Sequence, residues 1–158
     1  MASKVFNVGK GRIVEISRNI KAGVRANAAF IVVLLQNAED DLNIIDHLSL
    51  ADVLAAIGNT EATFTNYSRL TMGQSELDLL PPPNVVDDKY ELTFPSQTFI
   101  SAGGTTDNSL VKFLLCYADD TIALVDSNIV PLIAFDYVTV TDGSSLLVEF
   151  PFDAFNAS

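Results

Sequence analysis

An uninterrupted apolar stretch, Ala28-Ala29-Phe30-Ile31-Val32-Val33-Leu34-Leu35, dominates the first third of the chain. Its length and β-branched character predict a strand buried on both faces, at the centre of a sheet. The polar run Asn37-Ala38-Glu39-Asp40-Asp41 then predicts a turn, where Asx side chains bond their own backbone. Ser49-Leu50-Ala51-Asp52-Val53-Leu54-Ala55-Ala56-Ile57-Gly58 carries an N-cap serine, an acid three positions on, apolar residues at helical spacing and a closing glycine. It predicts a helix of about two turns, which must draw its stability from packing on the sheet.

Elsewhere the pattern is β. Arg12-Ile13-Val14-Glu15-Ile16-Ser17 mixes apolar and charged positions and predicts a short strand. Residues 59–69 form a polar, Thr-rich connection into a strand around 67–72. Pro81-Pro82-Pro83 lacks backbone donors and predicts an extended surface linker. Tyr90-Glu91-Leu92-Thr93-Phe94 alternates with period 2, and Gln97-Thr98-Phe99-Ile100 continues until Gly103-Gly104. Strong strands follow over 110–117 and 129–140, with Asp119-Asp120 as an acidic turn and Pro131 marking an edge or a bulge. Asp142-Gly143 signals a hairpin into Leu146-Leu147-Val148-Glu149-Phe150. The expected fold is mainly β, a β-sandwich or open barrel with one short helix and an N-terminal arm: residues 1–25 as the arm, 26–158 as a single β-rich domain.

Composition sharpens this picture. Of 158 residues 49% are apolar and only 18% charged, which is ample for a core and leaves much of the surface to uncharged groups, as an assembly subunit requires. The net charge of −11 excludes nucleic acid as an expected partner, since phosphate recognition needs a basic surface. Neither a secretory signal nor a run long enough to span a bilayer is present, so no membrane partner is expected.

The charge is also unevenly spread. Residues 1–25 hold Lys4, Lys10, Arg12, Arg18, Lys21 and Arg25 against Glu15 alone, a local charge of +5. The other residues hold Arg69, Lys89 and Lys112 against 19 acids, a local charge of −16. These six basic residues are therefore the expected partner-binding set, docking on an acidic neighbour or folding back on the acidic body.

Candidate chemistry adds little. His47 is the sole histidine and Cys116 the sole cysteine, the latter in an apolar setting that predicts a buried thiol. The adjacent pairs Asp40-Asp41, Asp87-Asp88 and Asp119-Asp120 lack the spacing of a calcium loop, and neither Gly9-Lys10-Gly11 nor Gly103-Gly104-Thr105-Thr106 forms a phosphate-binding loop. No enzyme activity, metal or cofactor is expected.

Asn59-Thr60-Glu61-Ala62-Thr63 followed by Tyr67-Ser68-Arg69, then Phe113-Leu114-Leu115-Cys116-Tyr117 and Ile129-Val130-Pro131-Leu132, resembles a family of small structural proteins of tailed bacteriophages. That pattern has leucine where this chain has Phe113, a substitution of one large apolar residue for another. The resemblance covers roughly residues 12 to 140 and implies a virion component without known activity. The expected role is decoration or cementing of the head as a homo-oligomer, such as a trimer, bound to the major capsid protein or another virion protein. The alternatives are a tail, neck or fibre-attachment subunit and a carbohydrate-binding host-recognition module, the last disfavoured by the absence of Trp.

Overall fold

The computed structural model describes residues 2–79, 90–91, 93–150 and 156–157. The Pro81–Pro83 linker, the Asp87-Asp88 pair and Lys89 lie outside the described residues. The chain is mainly β, with antiparallel pairing throughout the sheets.

Strand β1 (Ser3–Val5) opens the chain, followed by a 3-10 turn at Asn7–Gly9, helix α1 (Ile13–Lys21) and strand β2 (Ala29–Asn37). Two short helices, α2 (Asp41–Ile44) and α3 (Leu50–Ala55), lead to β3 (Thr60–Glu61), β4 (Leu70–Met72) and α4 (Gln74–Leu77). Then come β5 (Tyr90–Glu91), β6 (Gln97–Phe99), β7 (Ser109–Ala118), β8 (Val130–Val140), β9 (Leu146–Val148) and β10 (Asn156–Ala157). The main sheet runs β1-β8-β7-β2-β3, with β4 also on β2, while β6 pairs with β9 and β5 with β10.

As the apolar run predicts, β2 is interior to the sheet and buried on both faces. Its alternate side chains feed two cores. Phe30, Val32 and Leu34 join α1 and the β6–β9 ribbon through Ile13, Ile16, Ile20, Phe99 and Val148. Ile31, Val33 and Leu35 face the other way, toward α2 and α3 through Ile44, Leu50 and Val53. The ribbon laid over the main sheet makes an open sandwich, and the helices close what it leaves uncovered.

Four expectations need correction. Residues 12–17 belong to helix α1, not to a strand, because Ile13, Ile16 and Ile20 recur at helical spacing and turn one stripe into the core. The expectation of one helix fails with it, since α1, α2 and α4 accompany α3. The Asp142-Gly143 turn exists, with Gly143 at φ +92°, but β9 leaves it for β6 and does not return along β8. Backbone bonds from Gly143 to Ala102 and from Ala102 to Ser144 hold the turn against the β6–β7 connection and redirect the chain into the second layer.

Residues 2–25, expected as an arm, are built into the body. β1 pairs with β8, Phe6 is fully buried, and the backbone N–H of Phe6 donates to the Leu132 carbonyl. The expected irregularity at Pro131 is a bulge: Leu115 opposes Ile133 while Cys116 opposes Pro131, leaving Leu132 as the extra residue. Gly9 packs directly on it, and a Cβ there would stand 3.0 Å from the Leu132 Cα and carbonyl oxygen. Only glycine permits that approach.

Candidate functional site

The segments Asn59–Thr63 and Tyr67–Arg69 meet at the outer edge of β2. β3 pairs with its far end at Leu35 and Asn37, and β4 with Phe30, Ile31 and Val32, so a gap opens between them. Tyr67 fills it. Its hydroxyl accepts from the Leu34 N–H at 3.2 Å and donates to Glu61 Oε1 at 2.8 Å, while the Leu34 carbonyl accepts from Ala62 N at 2.9 Å.

Arg69 then binds Glu61 through both carboxylate oxygens, each at 2.7 Å, and Asp126 with its remaining donors. The hydrogen bonds it donates to Glu61 raise the Arg69 guanidinium further above its already high value, and Arg69 in turn holds the Asp126 carboxyl below its usual range. Burial and the Glu61 charge push the Tyr67 phenol up. This network is consumed in bracing the sheet edge.

Asn59 is equally occupied. It accepts from Glu39 N at 2.8 Å and donates to the Val53 carbonyl and to Glu39 Oε1, which also binds His47 Nε2 at 2.6 Å. Asn59 thus ties α3 to the turn at Glu39, and the sole histidine joins the α2–α3 connection to the same carboxylate. Lys112 lies between Asp41, at 2.7 Å, and Asp136. Burial alone would lower its ammonium, but these hydrogen bonds win and raise it, and they hold Asp41 below its usual range.

The acidic pairs separate in space: Asp119 binds Arg25 while Asp120 accepts from Ile122 N at 2.9 Å. Among the described residues no group of three or more His, Cys, Asp or Glu could hold a metal, and no helix is long and apolar enough to cross a membrane. Cys116 is fully buried opposite Pro131, and desolvation pushes its thiol up.

The six basic residues expected to bind a partner fall into two groups. Lys4 stands on β1 opposite Ala134, with its charge acting on Asp41. Lys10 donates to Asn7 Oδ1 at 2.6 Å, and Asn7 donates to Asp46, so this lysine also belongs to the α2 side. The other four lie on or after α1. Arg12 caps its start, Arg18 projects from its exposed face, Lys21 ends it, and Arg25 follows with an ion pair to Asp119 at 2.8 Å. Arg12 and Arg25 share a polar cleft with Glu15, Tyr117, Asp119 and Asn128. Among the described residues Arg12 and Arg18 make no ion pair.

One element of this surface escapes the sequence reading. Ile122-Ala123-Leu124-Val125, between β7 and β8, is exposed at all four positions, with Ile122 at 81%. It is fastened beside the Arg25 segment by Thr121 N and Oγ1, both donating to the Asn27 carbonyl at 3.0 Å. Four apolar residues in a connection too short for its own core were the available signal. Comparison with models of protein families, with curated proteins and with solved structures found no match.

Proposed function

We propose that the chain is a non-enzymatic structural protein of a tailed-phage particle, which decorates and cements the head as a homo-oligomer. On this reading its α1 side contacts acidic neighbours in the virion. The observation that carries it is that Arg12 and Arg18 stand exposed without ion pairs among the described residues, while the run Ile122–Val125, tied through Thr121 to Asn27, leaves its apolar side chains uncovered. Large apolar side chains left exposed on a surface are the chemistry of a protein contact. The polar groups that could otherwise suggest catalysis are engaged in bracing: Tyr67, Glu61, Arg69 and Asp126 at the sheet edge, and His47 with Glu39 and Asn59 at the start of α3.

The test uses the full-length chain and phage particles lacking it. Deleting residues 1–25 would remove core side chains, so the variant is Arg12→Glu/Arg18→Glu/Arg25→Glu, with Lys89→Glu as the matched single reversal elsewhere. The wild type and Lys89→Glu should coat the head, and the triple reversal should weaken binding at least tenfold. Labelling confined to the tail, or binding indifferent to the triple reversal, would overturn the placement or the contact.

A further inference from the structure

A cleft of about 560 Å³ lies on the α1 side of the main sheet. Its floor is apolar, made by buried Ile16 and by half-buried Tyr117 and Val130, which are cross-strand neighbours on β7 and β8. Its rim is polar and exposed. Arg12, Glu15 and Asn19 line it from the cap and one stripe of α1, and Ser127 and Asn128 from the 3-10 turn at Asp126–Asn128. The Arg25–Asp119 ion pair completes it.

The rim is unspent. Elsewhere the polar side chains engage one another, as at Tyr67, Glu61 and Arg69 or at Glu39, His47 and Asn59. In the cleft the side chains of Arg12, Glu15, Asn19, Ser127 and Asn128 and the Tyr117 hydroxyl make no hydrogen bond or ion pair among the described residues. Their frame is fixed all the same: Arg69 grips Asp126, Asn128 N donates to the Val125 carbonyl at 2.8 Å, and Tyr117 and Val130 sit in paired strands. Polar groups held in place without a protein partner lower the ordering cost of binding a ligand.

We infer that this cleft binds a neutral saccharide, with a pyranose ring lying on Tyr117 and Val130 and its hydroxyls bonded at the rim. Charge balance selects the class. Two guanidinium groups, Arg12 and Arg25, stand with two carboxylates, Glu15 and Asp119, so a charged ligand of either sign meets its own sign there. A hydroxyl both donates and accepts, and so bonds guanidinium, carboxylate and amide alike. These groups are planar with paired polar atoms, which suits neighbouring hydroxyls on one ring, while the apolar floor takes the ring's C–H face. Tyr117 supplies the aromatic surface in a chain without Trp.

The inference goes beyond the virion reading and does not need it. Arg12 and Arg25 serve both, so the test turns on Asn19 and Asn128, exposed residues that the particle contact does not use. Amide-resolved NMR on the full chain follows titration with maltotriose, lactose and the N-acetylglucosamine trimer, and with sialyllactose and the deacetylated glucosamine trimer as acidic and basic counterparts. At least one neutral saccharide should shift resonances around Asn19, Tyr117 and Asn128 at millimolar concentration, and neither charged one should bind as tightly. Asn19→Ala/Asn128→Ala should raise the dissociation constant about tenfold, with an unchanged thermal melt.

No shift with any neutral saccharide, shifts confined to another part of the molecule, tighter binding of a charged one, or a dissociation constant indifferent to the double variant would overturn the inference. Binding of the same samples to phage particles separates the two ideas, since the double variant should coat heads as the wild type does. A chain that coats heads and shows none of these shifts sinks the cleft alone, whereas one that binds saccharide and no particle sinks the virion reading alone.

Discussion

Arg69 donates to Glu61 on β3 and to Asp126, 57 residues further along the chain, so one guanidinium ties the β2 edge to the turn before β8. Its side chain is 21% exposed, enough desolvation for the bonds to matter and too little for water to replace them. Arg69→Ala should destabilise the fold by about 2 kcal/mol in chemical denaturation. Arg69→Lys should recover only part of that, because an ammonium cannot reproduce the two-oxygen grip on Glu61.

Asp126 adds a pH dependence. Arg69 depresses its folded-state value below the ordinary 3.8, so its contribution is complete above about that pH and is lost as pH falls through the folded value. The acid limb of a stability profile should be steeper in wild type than in Arg69→Ala, and equal limbs would refute the assignment. In the sequence, Glu61, Tyr67 and Arg69 stood out as a motif, but nothing local pointed to Asp126. Partners that far apart are chosen by the fold, and a motif records only one side of such a bond.

At the level of elements, the outcome depended on how far each pattern was followed. Ser49 was legible as an N-cap because capping is local: its hydroxyl accepts from Asp52 N at 3.1 Å, and Asp52 returns the bond to Ser49 N at 3.0 Å. Ser49→Ala should cost about 1 kcal/mol and speed hydrogen exchange in α3 before the rest of the fold opens. Helix α1 is illegible within residues 12–17 alone, where an Ile-Val-Glu-Ile run looks like a strand. Extended to Ile20, the same residues give the helical stripe, with Glu15 near the start and Arg18 and Lys21 near the end to complement its dipole. The Ser17 hydroxyl bonds back to the Ile13 carbonyl at 2.8 Å, which lets a serine sit inside the core. The β7 and β8 strands were legible in outline, and Pro131 correctly announced the bulge. The β6–β9 pairing was not, because turn residues state that the chain reverses and not which strand it will meet.

For the whole molecule, the charge asymmetry of the sequence proved to be a statement about surfaces and not about a separable arm. Phe6, Ile13, Ile16 and Ile20 are core residues, so deleting residues 1–25 should abolish cooperative thermal unfolding; a truncated chain that still melts sharply would contradict this structure. Residues 2–25 thus deliver both a stripe to the interior and arginines to the exterior. The stopped gap on β2 bears on how the chain behaves at high concentration. With β3, the Tyr67 hydroxyl and β4 occupying the rim beyond β2, a stray strand from a neighbour finds there only two edge strands of two and three residues, a poor template to zip onto.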